Sequence, residues 1–372
     1  MIKVALIGCG MVADQHMAQI QRVPGAQIVG VCDTEPLMAR QLADRFHVAR
    51  HFSDVTEMLN SVRPNVVHIT TPAQSHFPLA KVCLEAGCNV YVEKPFTVTA
   101  SQAEELIGLA EARGLKMTAG HNLQFNPEAI RMRELVKNGF LGGPPIHIDC
   151  MQCFSHDDPT YGKALLGDRT HWVRSLPGSL LQNLISHGLA KIVEFLPTNR
   201  PRVIAHLDAS PHLKSLGQDD IVDELRAIIH DDSGTTACFT FSTRLGAASN
   251  QICLYGKKAS LIADSTNRML IPLRPIRYKS YLRYFLAPRL YAKAYRQNSW
   301  RNIKLFLNKQ FHMDCGMKIL IQEFYRAVQD DGPVPIPYRE ILTTARIMDQ
   351  IFAQIPARSA GKVEAGAVSV EI

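Results

Sequence analysis

A glycine-rich run near the N-terminus has the residue types that hold a dinucleotide. Residues 8–13 read Gly-Cys-Gly-Met-Val-Ala, which is the GxGxxA form of the dinucleotide-binding motif. Gly8 permits a tight turn, Gly10 lets a pyrophosphate approach the backbone, and the small Ala13 lets a helix pack closely on a strand. Backbone N–H groups at the start of that helix would bind the phosphates. The predicted phosphate-binding residues are Gly8, Gly10, Met11 and Val12.

An aspartate stands at the end of the second predicted strand, where a ribose would lie. Asp33 follows the apolar run 27–32. Its carboxylate could accept hydrogen bonds from both ribose hydroxyls and would repel a 2′-phosphate. No arginine follows at 34–36 to bind such a phosphate. The sequence therefore predicts NAD as the cofactor rather than NADP, with a helix-capping role for Asp33 as the alternative.

Short apolar runs alternate with helical patterns through the first third of the chain. The predicted strands are 2–7, 27–32, 66–70, 89–92 and 116–119, and the predicted helices are 11–22, 36–46, 75–86 and 100–113. Such alternation predicts a parallel, doubly wound sheet. Ligands of these sheets bind at the carboxyl ends of the strands. Three polar clusters fall there, namely Thr71-Pro72 with His76, Glu93-Lys94-Pro95, and His121-Asn122.

After Pro144 the pattern changes to polar and apolar residues in alternation. The predicted strands here are 145–154, 222–230, 235–243, 247–255 and 259–264. The predicted fold class is α/β, with an N-terminal Rossmann domain and a C-terminal α+β domain built on a mainly antiparallel open sheet. One face of this sheet should cover the active-site cleft. The other is expected to be apolar enough to bury in a homo-oligomer, a dimer or tetramer.

Length and composition set the predicted organisation. The 372 residues are enough for two cores, and 46% of them are hydrophobic and 20% charged, as in ordinary globular proteins. The predicted units are an NAD-binding domain at 1–121, a substrate-binding and oligomerisation domain at 122–356, and a flexible tail at 357–372. No apolar run is long enough to cross a bilayer, and no secretory signal precedes the first strand, so a cytoplasmic location is expected.

The nine cysteines are scattered along the chain. Cys150 and Cys153 form one CxxC pair, but no second pair completes a zinc site, and the pair lies in a strand-like run. We expect buried, reduced thiols and no metal ion.

Residues 265–313 concentrate the positive charge of the chain. This segment, the basic aromatic segment, has no acidic residue and eleven basic ones, which exceeds the net charge of +7 for the whole chain. Aromatic residues are interleaved with the basic ones, and the run after Pro288 has apolar residues at roughly helical spacing. The basic positions are Arg268, Arg274, Arg277, Lys279, Arg283, Arg289, Lys293, Arg296, Arg301, Lys304 and Lys309.

Three interpretations of the basic aromatic segment stay open. Residues 281–310 could contact an anionic membrane surface, which would place the protein at the inner face of a membrane. The segment could instead line the cleft and bind a phosphate-bearing substrate. It could also pack on a neighbouring subunit. A nucleic-acid partner is not expected, because no recognised nucleic-acid-binding module accompanies the segment.

The order and spacing of these motifs resemble those of the glucose–fructose oxidoreductase/inositol dehydrogenase family (Gfo/Idh/MocA). The shared features are GxGxxA, the aspartate after the second strand, Thr-Pro-x-x-x-His at 71–76, Glu-Lys-Pro at 93–95, the pattern Trp172…Gly178…Asn183…His187 and a C-terminal helical ending. The resemblance covers nearly the whole chain. It implies an NAD-dependent enzyme that transfers a hydride between nicotinamide and a hydroxyl-bearing carbon of a sugar or sugar derivative, with nucleotide-linked and uronic sugars as candidates. A non-catalytic dinucleotide-binding regulator or sensor is the alternative.

The resemblance also implies roles for single residues. Lys94 corresponds to the family's lysine beside the nicotinamide and the substrate hydroxyl, where an ammonium stabilises developing alkoxide charge. Pro95 fits a cis-like turn that aims this lysine. His187 corresponds to the histidine that takes the hydroxyl proton, a task suited to imidazole near neutral pH. A spacing of four predicts that residues 183 and 187 share one face of a helix.

The implied site combines catalytic and cofactor-binding residues. The implied catalytic residues are Lys94, His187 and Asn183. The candidate cofactor-binding residues are Gly8, Gly10, Met11, Val12, Asp33, Thr71, Pro72, His76, Glu93, Lys94 and Asn122. His121 is a further candidate for direct contact.

Two departures from the family pattern affect the expected chemistry. Asn183 replaces the usual aspartate, and an amide can hydrogen-bond a hydroxyl but cannot act as a base. The usual arginine of Arg-Phe-x-Pro is Gln124, which we expect to remove a charge from near the cofactor and substrate. The proton chemistry should therefore depend on His187 with Lys94.

Overall fold

The computed structural model describes residues 1–154, 165–218, 220–245, 250–276, 280–308, 310–311 and 314–355. The first sheet has the strands β1 (Ile2–Ile7), β2 (Ala26–Cys32), β3 (His51–Phe52), β4 (Val66–Ile69), β5 (Asn89–Val92) and β6 (Met117–Ala119). The helices that connect them, with one that follows, are α1 (Met11–Ile20), α2 (Pro36–Phe46), α3 (Val55–Val62), α4 (His76–Glu85), α5 (Ala100–Ala112) and α6 (Pro127–Lys137). All strands pair in parallel in the order β3-β2-β1-β4-β5-β6.

This strand order is that of a doubly wound dinucleotide-binding fold, and the predicted Rossmann architecture is confirmed. Strands β1 and β4 are buried along almost their whole length because helices cover both faces of the sheet. The sequence interpretation missed β3 and α3. The two-residue β3 is too short to show periodicity, whereas α3 does carry a start signal, since the Asp54 carboxylate accepts a hydrogen bond from the Glu57 amide at 2.7 Å.

The second sheet is mixed and mainly antiparallel, as predicted. Its strands are β7 (His147–Cys153), β8 (Arg202–Asp208), β9 (Glu224–His230), β10 (Thr236–Ser242), β11 (Gln251–Tyr255), β12 (Ser260–Asp264) and β13 (Met269–Leu273). They lie in the order β13-β12-β11-β7-β10-β9-β8. β7 and β10 pair in parallel, and all other neighbours are antiparallel. The sequence interpretation missed the two edge strands, β8 and β13.

Six further helices complete the described chain. They are α7 (Ser179–Leu184), α8 (Ser186–Val193), α9 (Pro211–Ser215), α10 (Ser280–Leu307), α11 (Cys315–Gln329) and α12 (Tyr338–Phe352), with short 3-10 turns at 73–75, 122–125 and 172–175. One face of the second sheet packs on α8 and α12, and its core includes Phe239, Phe241 and Ile347. Helix α11 packs instead into the core of the first sheet, where Phe324 and Tyr325 are buried.

The helix that carries residues 183 and 187 differs from the prediction. The helical hydrogen bonding is interrupted at Ile185. Asn183 therefore lies near the end of α7, while His187 lies in the first turn of α8. The prediction that both residues share one face of a single helix is therefore wrong. Spacing alone could not show this interruption, because the interrupting residue keeps helical backbone angles.

The basic aromatic segment is not a single element. Its first part supplies the edge strand β13, and its central part forms the 28-residue helix α10, which contains Pro288 rather than starting after it. Among the residues that the structure describes, no helix is both long and apolar enough to cross a membrane. The predicted flexible tail at 357–372 lies outside the described residues.

Candidate active site

The glycine-rich loop between β1 and α1 fits a pyrophosphate. Gly8 has φ +94°, and a Cβ atom there would lie 2.6 Å from the Thr71 side chain, so only glycine fits. A Cβ atom on Gly10 would meet no protein atom within 4 Å, which leaves room for a ligand against the backbone. No side chain caps the first turn of α1, and Met11 and Val12 of that turn line the cleft. These features fit the phosphates of a dinucleotide.

Asp33 links this loop to the end of β2. Its Oδ2 atom accepts a hydrogen bond from the Cys9 amide at 2.6 Å, and its Oδ1 atom accepts one from the Glu35 amide at 2.9 Å. Both donors are backbone N–H groups, one from the glycine-rich loop and one from the residues just after β2. They hold the Asp33 carboxylate in place beside the loop. Each carboxylate oxygen can accept a second hydrogen bond. The geometry leaves Asp33 able to bind ribose hydroxyls, and the residue does not cap α2, which begins after Glu35.

Replacing Asp33 should weaken NAD binding and reduce the preference for NAD over NADP. We expect Asp33→Asn to raise the Kd for NAD by about 10- to 100-fold, the effect of losing hydrogen bonds to a charged group. The Kd for NADP should change much less, because the repulsion of its 2′-phosphate is removed together with those bonds. Titration calorimetry with both cofactors measures this, and Asp44→Asn, on the exposed side of α2, is the control. An unchanged NAD/NADP ratio would refute this role for Asp33.

A cleft of about 520 Å³ lies at the carboxyl ends of the parallel strands, between the two sheets. It joins the glycine-rich loop to the Glu-Lys-Pro turn and to residues that follow β7. Its lining residues are Gly10, Met11, Val12, Thr70, Thr71, Pro72, Glu93, Lys94, Phe154, His171, Trp172, Asn183 and Leu184. The structure thus places Thr71, Pro72, Glu93 and Lys94, from the first two polar clusters, around one cavity.

Lys94 projects into this cleft from the end of β5. The Lys94–Pro95 peptide bond is cis. The Lys94 Nζ atom donates to the Asn183 backbone oxygen at 3.1 Å and lies 3.4 Å from its Oδ1 atom. Burial lowers the pKa of the Lys94 ammonium, while the neighbouring Glu93 carboxylate raises it. The lysine bridges the two parts of the chain beside the glycine-rich loop.

His187 lies behind Asn183 rather than in the cleft lining. Its ring meets that of His121 edge to face, with centroids 6.2 Å apart. Burial, followed by the charges of Lys94, His121 and Lys191, holds the pKa of His187 well below its ordinary value. Burial likewise lowers the pKa of His121, to about 4. Both rings are therefore neutral near pH 7.

The two histidines leave hydrogen-bonding capacity unused. Among the described residues, His187 Nδ1 and His121 Nε2 are buried without a hydrogen-bond partner, and so is Asn122 Oδ1. Buried polar atoms in native proteins are normally satisfied, so such atoms beside a cleft indicate a place for a ligand or an ordered water. The neutral imidazole of His187 has the charge state that accepts a proton.

Glu93 is fixed by a chain of buried hydrogen bonds that the sequence did not reveal. Its Oε1 atom contacts His16 Nε2 at 2.9 Å, His16 Nδ1 contacts His68 Nδ1 at 2.9 Å, and His68 Nε2 contacts the Tyr325 hydroxyl at 2.8 Å. The Oε2 atom of Glu93 accepts the Lys94 backbone N–H at 3.0 Å. Burial raises the pKa of Glu93, but the contacts with His16 and Lys94 outweigh this and lower it overall. Glu93 is thus an anion that holds the turn carrying Lys94.

His76 is bound entirely by backbone carbonyls. Its Nε2 atom contacts the Thr71 oxygen and its Nδ1 atom the Pro95 oxygen, each at 2.8 Å. The ring is 1% exposed and therefore ties the Thr71-Pro72 turn to the Glu-Lys-Pro turn. These contacts leave neither ring nitrogen for a cofactor, so His76 would act by positioning Thr71 and Pro72, which do line the cleft.

The structure contradicts the expectation for Gln124. Its side chain is buried away from the cleft and donates to the Ala190 backbone oxygen at 3.2 Å. It lines a separate depression together with Arg133, Glu194 and Glu340. Gln124 therefore lies apart from the cleft that contains the glycine-rich loop and Lys94.

Several lining residues were missed because they follow no motif. Phe154, His171 and Leu184 form the wall of the cleft opposite the glycine-rich loop. Trp172 stood in the family-like pattern but was given no role. The His-Trp pair at 171–172 was the only sequence signal available, since aromatic residues are common in the walls of ligand pockets.

Cys150 is buried as predicted, and burial raises the pKa of its thiol to about 12, whereas Cys153 is half-buried. On the outer face of the second sheet, the ligand atoms of His147, Asp149 and Cys238 lie within 4.8 Å of one another. The two nitrogens of His147 already contact Thr236 at 2.7 Å and Asp149 at 3.1 Å. These contacts account for the arrangement without a bound ion.

Comparison with known proteins agrees with this geometry. Residues 2–121 match the model of an oxidoreductase family described as having an NAD-binding Rossmann fold. Over 142 residues the chain is 34% identical to D-glucoside 3-dehydrogenase of Escherichia coli K12. That match covers 38% of this chain and 40% of the relative, so the chain matches about two fifths of the relative's length.

Solved structures show the same fold over almost the whole chain. One is UDP-N-acetylglucosamine 3-dehydrogenase GnnA from Acidithiobacillus ferrooxidans, with a TM-score of 0.69 and 20% identity over 95% of this chain and 98% of that one. Another is the WlbA dehydrogenase from Bordetella pertussis, solved with NADH and UDP-GlcNAcA, with a TM-score of 0.75 and 16% identity over 95% and 94% of the two chains. At these identities the likeness establishes the fold.

Proposed function

We propose that this protein is a dehydrogenase acting on a hydroxyl-bearing carbon of a sugar, because the chain belongs to the Gfo/Idh/MocA oxidoreductase family through its NAD-binding residues 2–121. The observation that carries the proposal is the position of Lys94. Its ammonium lies in the same cleft as the glycine-rich loop and is 3.1 Å from the Asn183 backbone oxygen. A regulator that only binds dinucleotide has no need for a buried cation at that point.

The residues of the cleft suit the steps of an alcohol oxidation. NAD, when bound, accepts the hydride. Lys94 places a positive charge beside the reacting oxygen and stabilises its developing negative charge. Asn183, held by Lys94, can hydrogen-bond a sugar hydroxyl but cannot take up its proton. His187, which does not line the cleft, is neutral at working pH and accepts the hydroxyl proton through one ordered water.

The cofactor we propose is NAD rather than NADP. Asp33 places a carboxylate at the end of β2, next to the loop that would hold the pyrophosphate, and it would repel a 2′-phosphate. Thr71, Pro72 and Glu93 complete the cofactor side of the cleft. Asn122 follows β6, and its buried, unpartnered oxygen supports a contact near the nicotinamide end.

A nucleotide-linked or uronic sugar is the substrate class we propose. The cleft of about 520 Å³ extends beyond the glycine-rich loop to Trp172 and Phe154, which offer aromatic surface to a sugar ring or a base. GnnA is a UDP-N-acetylglucosamine 3-dehydrogenase, and the WlbA dehydrogenase was solved with UDP-GlcNAcA. They support this class by analogy of fold alone.

The organisation we propose has the NAD-binding unit at 1–121 and the substrate-binding and oligomerisation unit at 122–356. The outer face of the second sheet exposes Met151, Ile204, Ile228 and Tyr255, with Ile204 at 71% exposure. Apolar side chains on an open sheet face support a homo-oligomer formed through this surface. We also propose a cytoplasmic location, which is consistent with nine unpaired cysteines.

The function is tested by incubating the purified enzyme with NAD and a panel of sugars, uronates and nucleotide-linked sugars. We expect reduced nicotinamide to appear by absorbance with at least one nucleotide-linked or uronic sugar. Mass spectrometry of the protein as purified would show whether a cofactor is retained through turnover. Absence of reduction with every sugar, together with measurable NAD binding, would reject the dehydrogenase and favour the non-catalytic regulator.

A further inference from the structure

We infer that helix α10 docks the protein on an anionic lipid surface. The inference goes beyond the proposed reaction, since it concerns where the protein acts. The exposure, charge and attachment of α10 favour the membrane interpretation among the three that were left open for the basic aromatic segment.

Helix α10 is attached to the rest of the chain mainly along one side. It packs against the edge strand β13. Asn298 is 2% exposed, and its amide accepts from the Leu270 N–H at 3.0 Å and donates to the Leu270 oxygen at 2.9 Å. Asn302 adds a longer contact to the Asn267 oxygen at 3.4 Å. The helix therefore has a defined inner side, centred on Asn298.

The rest of the helix surface exposes large apolar side chains. Of the 23 large hydrophobic residues exposed among the described residues, 11 belong to α10. They are Tyr281, Leu282, Tyr284, Phe285, Leu290, Tyr291, Tyr295, Trp300, Ile303, Phe306 and Leu307. So many exposed apolar side chains on one helix mark an interaction site.

Cations share this outer surface, and no acid does. The helix carries Arg283, Arg289, Lys293, Arg296, Arg301 and Lys304 and no acidic residue. Within the part of the chain that the structure describes, no carboxylate forms an ion pair with any of these six side chains. Their charge is available to an external anionic partner.

The helical repeat places two of these cations and two of these apolar side chains on the side opposite Asn298. With about 100° per residue, Arg289, Arg296, Trp300 and Leu307 all lie within roughly 20° of the direction opposite Asn298. Trp300 is 71% exposed and Leu307 72% exposed. The side opposite Asn298 therefore offers cations and apolar side chains together. This combination suits a lipid headgroup layer with an acyl boundary beneath it.

The other two interpretations fit the structure less well. No residue of α10 is among the described residues that line the cleft, which argues against a role in binding a phosphate-bearing substrate. A second copy of the same helix would bring six cations against six cations with no acid between them. An anionic membrane surface supplies the complementary charge and also buries the aromatic side chains.

The test is flotation of the full chain with phosphatidylcholine vesicles that contain or lack phosphatidylglycerol. We expect binding only to the anionic vesicles. Replacing Arg289, Lys293 and Arg296 by glutamine should weaken partitioning on the order of 100-fold, from three lost cations near the surface. Replacing Trp300, Ile303 and Leu307 by serine should also abolish flotation, because the apolar contact is lost.

The matched control carries the same loss of charge elsewhere, at the exposed positions Arg40, Lys137 and Lys257, and should float like the wild type. Cofactor binding should be unchanged in all variants, which shows that they are folded. Three results would overturn the inference. The first is that the wild type does not float with anionic vesicles. The second is that the control loses as much vesicle binding as the α10 variants. The third is that the α10 variants dissociate an oligomer in sedimentation analysis but bind vesicles like the wild type.

Discussion

Replacing Lys94 with alanine should lower turnover by roughly 100-fold or more while NAD still binds, the scale of a lost electrostatic or acid–base group. The Lys94 ammonium lies at the wall of the cleft 3.1 Å from the Asn183 oxygen, whereas the loop proposed to hold the cofactor phosphates is formed by residues 8–12. The substitution removes the charge beside the reacting oxygen and leaves that loop unaltered. Steady-state rates and a NAD titration measure the two effects separately.

The controls for Lys94 separate chemistry from structure. Lys94→Met keeps most of the aliphatic chain and should be as inactive as Lys94→Ala, whereas Lys137→Ala, at the exposed end of α6, should behave like the wild type. Lys94 also bonds to Asn183, so the substitution could lower turnover by displacing Asn183 rather than by removing the ammonium. A small primary amine added to Lys94→Ala should restore part of the turnover if the ammonium itself acts. Wild-type turnover in Lys94→Ala would remove this residue from the mechanism.

Replacing His187 with asparagine should lower the rate of alcohol oxidation by about 100- to 10,000-fold, as expected for a lost general base. Burial, followed by the charges of Lys94, His121 and Lys191, holds the pKa of His187 well below 6.5. The imidazole is therefore neutral at pH 7 and can accept the hydroxyl proton. As the pH falls through this lowered pKa the ring becomes protonated, so kcat/KM should be flat near neutrality and fall only on the acidic side.

A neighbouring charge provides a second test of the same residue. Lys191 lies one helical turn after His187, and its cationic side chain lowers the pKa of that ring. Lys191→Gln should therefore move the acidic fall in kcat/KM to higher pH, and His187→Asn should lack it. The control is His212→Asn at an exposed position in α9. An acidic fall that persists in His187→Asn would assign the proton chemistry to another group.

Much of the NAD-binding part could be predicted because its signals are local. Within six residues, the motif at 8–13 combines a turn, the start of a helix and a glycine that lets a pyrophosphate approach the backbone. Asp33 and Lys94 were placed by one topological rule, that the carboxyl ends of parallel strands meet at one edge. The predicted strand 89–92 and helix 36–46 agree with the structure residue for residue.

The parts that could not be predicted depend on distant contacts. Glu93 is held by His16, 77 residues away along the chain, and His68 is bound by Tyr325, 257 residues away. No periodicity or spacing relates such positions. Gln124 was expected near the cofactor, but its position was decided by how helix α8 packs beside it.

By itself, the sequence determined the α/β class and the location of the dinucleotide loop, because both follow from short-range hydrogen bonding and from the handed topology of parallel strands. It identified the lysine in the cleft through the family resemblance. The tertiary structure alone decided three other features. They are the neutral state of His187, the fixed anion at Glu93 and the exposure of helix α10. The physical reason is that charge state and exposure depend on which atoms exclude water from a side chain, and those atoms come from elements far apart in the sequence.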